Sequence, residues 1–105
     1  MSEIKYKRIL LKVSGEALAG EQRRGLDFDI IGDLCESIGQ CVAMGVQVGL
    51  VIGAGNFWRG VKDGADKMQR SHADAMGMLG TVMNAIAVAD ALEKHGVDAR
   101  VLSAV

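Results

Sequence analysis

The sequence predicts an α/β protein made of β-α-β-α-β units on a parallel sheet, and three observations lead there. Two compact apolar runs stand out, Tyr6 to Ser14 with basic residues interleaved and Val46 to Ile52, the second near-continuous as in parallel strands. Stretches between and after them repeat apolar residues at helical spacing. Glycine clusters stand where each strand ends, in a chain with 14 glycines and no proline.

The first strand is expected from about Lys5 to Val13, with Ile9, Leu11 and Val13 on one face and Arg8, Leu10 and Lys12 on the other. A long turn, Ser14 to Asp27, follows, holding Gly15, Gly20 and Gly25. Asp27 is placed to cap a helix whose stripe is Ile31, Leu34, Cys35, Ile38, Cys41 and Val42, with Gly45 as its stop. "VQVGLVI" is the second strand, broken by "GAGNFWRG". A second helix is expected from about Ser71 to His95, with Met76, Leu79, Val82, Met83, Ile86 and Leu92 on its buried side and Gly96 at its end. "DARVLSAV" then begins a third strand near Ala99. Right-handed crossovers put the helices against the sheet.

The 105 residues suit one domain or part of one, and half of them are apolar. With 12 basic and 13 acidic residues the net charge is -1, which gives no footprint for nucleic acid or an anionic membrane. "MSEIKYKR" lacks an apolar leader core, and no apolar run approaches a membrane span, so a soluble, cytoplasmic chain is expected. On one helix Cys35 and Cys41 would lie about 9 Å apart along the axis, too far for a disulfide, and read as two buried thiols.

In an open parallel sheet ligands gather outside the carboxyl ends of the strands, where both glycine clusters fall. Two familiar phosphate loops fail. Gly15 and Gly20 have the opening spacing of a Walker A loop, but Glu21 stands where its lysine belongs. Gly53 and Gly55 begin a dinucleotide fingerprint, but Trp58 takes the third glycine position. What remains is Lys12 at a strand end, the Ser14-Gly15 backbone, the Gly53-Ala54-Gly55 turn, and Arg59 four residues beyond Gly55. Turns of small residues form anion-binding concavities, and fixed positive charge stabilises a phosphoryl group in transfer.

Plainer roles stand beside these. Lys12 can snorkel from a strand end, Gly53 and Gly55 can serve a tight turn, Arg59 can be a surface arginine, and Trp58 can anchor its loop. Ser71 and Asp74 match a capping-box spacing. Met76, Met78 and Met83 suit a core or a subunit contact better than a binding groove. His72 and His95 lack ligand-like partners, so no metal site is expected from them.

Taken in order, "KRILLKVSGEAL", "GVQVGLVIGAGNFWRG", "DAMGMLGTVMNAIAVADAL" and "DARVLSA" resemble the N-terminal portion of the bacterial uridylate kinases, a branch of the amino acid kinase family. The resemblance covers essentially the whole chain. It implies a three-layer α/β/α fold of the carbamate kinase type and transfer of the ATP γ-phosphate to UMP, giving UDP and ADP, with Mg²⁺ carried by the substrate. Residues 1–105 would be the UMP-binding part of the domain, with the ATP-binding part absent and the chain inactive alone. Lys12, Val13, Ser14 and Gly15 would contact ATP, with Gly55 and Arg59 at the phosphates; Lys12 and Arg59 would be catalytic. Ala54 and Asp74 would bind UMP. Gly20, Glu21, Gln22, Arg23, Arg24 and Gly25 match the segment linked to activation by GTP, although a solvated loop explains them equally; UTP would be an inhibitor. A homohexamer is the family habit. Many members have glycine where Ala54 stands, and a methyl there requires a negative φ. The alternatives are a family member acting on a carboxylate or carbamate, or a non-catalytic nucleotide-binding or assembly module.

Overall fold

The structure is a computed structural model and describes residues 7–58 and 64–102. Strand β1 is Arg8–Val13 and strand β2 is Gln47–Ile52, paired in parallel from Arg8 opposite Gln47 to Val13 opposite Ile52. Helix α2, Phe28–Ala43, connects them, and helix α3, Arg70–Lys94, follows β2. A short helix that the sequence reading missed, α1, spans Gly15–Ala19 and runs into a 3-10 turn over Gly20–Gln22. Its signals are local: Ser14 Oγ accepts the Ala17 N–H at 3.1 Å, and Glu16 lies in the first turn. Leu18 and Ala19 on α1 are buried, so the segment between β1 and α2 contributes core rather than only loop.

Helix α2 starts and stops where expected. Asp27 Oδ1 accepts the N–H groups of Asp29 at 3.0 Å and Ile30 at 3.3 Å, and Gly45 adopts a φ of 87° just beyond the helix. Ile31, Cys35 and Ile38 are buried, Leu34 packs against them, and Val42 is exposed near the end. Both long helices lie on one face of the sheet, against Val13, Val48, Leu50 and Ile52. The opposite face carries Arg8, Leu10 and Lys12 beside Gln47, Gly49 and Val51, and is uncovered among the described residues. Two of the three expected layers are therefore present.

Helix α3 corrects the sequence reading. Met76, Leu79, Met83 and Ile86, expected inside, are 40–56% exposed. The inward face is Ala73, Gly80, Asn84, Val88 and Leu92. Small residues win this face because the helix lies directly on the turn after β2: a Cβ on Gly80 would stand 2.9 Å from Ala54 Cβ. Long side chains would hold the helix off. By length and composition α3 is also long and apolar enough to cross a membrane, contrary to expectation, but its inward face is part of the core.

The expected third strand does not form within the described residues, where the sheet has two strands. Residues 97–102 line a groove of about 1040 Å³ together with β2, α2 and α3. A strand needs a laddered neighbour, and this stretch has none among the described residues.

Candidate functional site

Both parallel strands end on the same edge, so the turns after them meet. The Gly53 N–H donates to the Val13 carbonyl at 3.0 Å, one step beyond β2. Gly15 then sits against the second turn. A Cβ built there would lie 2.5 Å from Asn56 Oδ1, 2.6 Å from the Gly55 nitrogen and 2.8 Å from the Gly53 oxygen. No other side chain fits at this position, so glycine here serves close approach between two backbones.

The second turn closes on itself through Ala54, whose carbonyl accepts the N–H groups of Phe57 and Trp58, each at 2.9 Å. Ala54 keeps a negative φ, since Arg23 is the one non-glycine with positive φ among the described residues. Its methyl faces Gly80 on α3. The methyl that departs from the usual glycine is thus accommodated by a glycine on the helix.

Lys12 lies opposite Val51 in the ladder, on the uncovered sheet face, exposed to solvent. An ammonium at that place keeps its hydration. Val13 lends its carbonyl to Gly53, and Ser14 caps α1. The structure brings the backbones of Val13, Gly15, Gly53 and Gly55 together, with Lys12 one residue before Val13 on the uncovered face. Arg59 lies outside the described residues.

Asp74 stands in the first part of α3, one turn before Gly77, which faces Trp58. Its carboxylate pairs with Arg70 at 3.1 Å, both side chains exposed. The capping box does not form: Gln69 occupies the cap position without a side-chain bond, and Ser71 is already helical. An exposed pair of this kind contributes little stability.

The Gly20 to Gly25 segment is held in left-handed turns, with φ of 64° at Gly20, 61° at Arg23 and 72° at Gly25. Glu21, Gln22, Arg23 and Arg24 are exposed. Gly25 is tied to the site, since its N–H donates to the Asn56 carbonyl at 3.1 Å.

Three residues near the site escaped the sequence reading. Glu16 lies beside Gly55, with its Cγ 3.0 Å from where a Gly55 Cβ would be. Asn56 and Asn84 are both buried and bonded to each other. Of these only Asn84 left a sequence signal, as a polar residue at helical spacing from Gly80 and Val88.

Cys35 and Cys41 are both free thiols; Cys35 is buried and Cys41 half-buried. The Cys35 thiol donates weakly to the Val88 carbonyl at 3.7 Å, and burial raises its pKa above the ordinary thiol value.

This geometry has known counterparts. The sequence profile of the amino acid kinase family matches residues 7–105. The crystal structure of a UMP kinase from Bacillus anthracis superposes with a TM-score of 0.76 at 34% identity, over 85% of this chain and 36% of that one. The UMP kinase from Ureaplasma parvum gives a TM-score of 0.77 at 36% identity, over 89% of this chain and 41% of its own. The present chain thus spans well under half the length of either enzyme. A match over nearly every residue, on a fold whose strand-end turns meet as described, identifies the chain as a member of the amino acid kinase family.

Proposed function

We propose that this chain is the UMP-binding part of a uridylate kinase that transfers the γ-phosphate of ATP to UMP, yielding UDP and ADP. The observation that carries the reading is the contact of Gly15 with the Gly53–Gly55 turn, which brings backbone from two strand ends together, the kind of small-residue apposition that suits an anion. The kinship with two UMP kinases supports the choice of acceptor.

Each residue then has a role. Lys12 supplies a mobile point charge to the phosphoryl group in transfer, Val13, Ser14 and Gly15 supply the backbone beside the ATP phosphates, and Gly55 and Arg59 complete that side. Ala54 meets UMP through its backbone, and Asp74 accepts a hydrogen bond from a ribose hydroxyl. Among the described residues no group of three or more His, Cys, Asp or Glu side chains could hold a metal ion. As the family resemblance implies, Mg²⁺ would be carried on the nucleotide phosphates, where it would neutralise charge.

The exposed stripe of Met76, Leu79, Met83 and Ile86 is a natural contact for a second copy within a hexamer. Residues 20–25 are the proposed GTP site, with UTP as an inhibitor at the nucleotide site. The 105 residues alone are expected not to turn over UMP, since they span well under half the length of either UMP kinase and the family resemblance implies that the adenine pocket and further catalytic groups belong to the remainder.

The test joins residues 1–105 to the remaining length of the Ureaplasma parvum enzyme and follows ADP release in a coupled assay. UMP-dependent release that is lost in Lys12→Met, with none from the 105 residues alone, supports the reading. Release driven instead by a carboxylate or carbamate acceptor would replace it with the neighbouring family chemistry. Nucleotide binding without any turnover would mark a non-catalytic module.

A further inference from the structure

Asn56 and Asn84 are the two buried polar side chains of the described core, 1% and 0% exposed. They form a closed couple. Asn56 Nδ2 donates to Asn84 Oδ1 at 2.9 Å, and Asn84 Nδ2 donates to Asn56 Oδ1 at 2.7 Å. Each amide also donates outward at 2.7 Å, Asn56 to the Gly25 carbonyl and Asn84 to the Gly53 carbonyl. All four N–H donors are therefore engaged.

An apolar pair of the same shape would fill this space without the desolvation cost of two amides. What it could not do is direct two backbone carbonyls from separate segments toward one point. Asn84 sits on α3, whose inward face is core, so the Gly53 carbonyl is referenced to a rigid element. Asn56 is part of the turn itself and borders Gly15, and its backbone carbonyl also accepts the Gly25 N–H.

We propose that Asn56 and Asn84 are positioning residues: their couple sets the Gly53–Gly55 turn for phosphate binding and joins residues 20–25 to it mechanically. This rests on the nucleotide-binding reading above. The control is Val88→Ala, a truncation one turn further along the same face, within the core cluster of Ile31, Cys35 and Leu92. Two measurements on the 105-residue chain decide the matter. One is amide hydrogen exchange without ligand; the other is UMP affinity by isothermal titration, well below each variant's melting temperature.

Asn84→Ala is expected to accelerate exchange at Gly25 and at residues 53–58 selectively and to weaken UMP by about tenfold, the scale of one lost hydrogen bond. Val88→Ala should leave UMP affinity within about twofold, as expected for an uncoupled site. The proposal is overturned if Asn84→Ala shows the same exchange pattern as Val88→Ala. It is equally overturned if the wild type binds UMP and Asn84→Ala binds it no worse. If the wild type does not bind UMP, the substrate reading falls and the exchange comparison alone judges the couple.

Discussion

Gly15 lies against Asn56 so closely that a Cβ on the glycine would stand 2.5 Å from the asparagine Oδ1. That contact joins the end of β1 to the turn after β2. It also leaves no room for side-chain volume between the two backbones proposed to hold phosphate.

Gly15→Ala must therefore push the turns apart. It is expected to lower stability by about 1–3 kcal/mol, as overpacking does. Chemical denaturation followed by circular dichroism measures this. A variant as stable as wild type would mean that the turns are loosely apposed.

Gly80 and Ala54 offer a second test of close packing. Gly80→Ala brings a methyl to 2.9 Å from Ala54 Cβ. Its cost should fall in the Ala54→Gly background, giving a coupling of about 0.5–3 kcal/mol in a double-mutant cycle. Simple additivity would show that the helix and turn do not touch through these positions.

The two thiols should separate by burial. Cys41 is expected to react with a thiol reagent first, and Cys35 only as the fold opens. Burial raises the folded-state pKa of Cys35 above its unfolded value, so its stabilising contribution is complete below about pH 8.5 and is lost at higher pH. Cys35→Ala should consequently flatten the alkaline fall of the melting temperature. An unchanged alkaline slope would remove Cys35 from that account.

On α3, Met83→Lys with Ile86→Lys should abolish self-association with little effect on folding, because both side chains are more than half exposed. Sedimentation velocity reads the first effect and thermal unfolding the second. Self-association that survives both lysines would place the subunit contact elsewhere.

Sequence patterning read the first two strands and the helix ends well because those signals are local, whereas the third expected strand is not seen among the described residues. Asp27, Gly45 and Gly96 mark boundaries through their own hydrogen bonds or backbone angles. The inward side of α3 was misread for a physical reason. Hydrophobic periodicity follows the large apolar residues Met76, Leu79, Met83 and Ile86, whereas the helix packs through small ones at Ala73 and Gly80. Close approach selects for lack of volume, which hydropathy does not register. The strand-end cluster from Lys12 to Gly15 and from Gly53 to Gly55 was legible because parallel topology alone brings those ends together. The Asn56–Asn84 couple was not, since residues 28 apart in sequence leave no local pattern when they bond.

The most direct trial of the site is the affinity of the 105-residue chain for Mg·ATP and for adenosine, each measured by isothermal titration for wild type and for Lys12→Met. Phosphate capture by the paired turns predicts that ATP binds at least about tenfold tighter than adenosine and that Lys12→Met erases most of this preference. Equal affinities for the two ligands, or an ATP preference untouched by Lys12→Met, would contradict it.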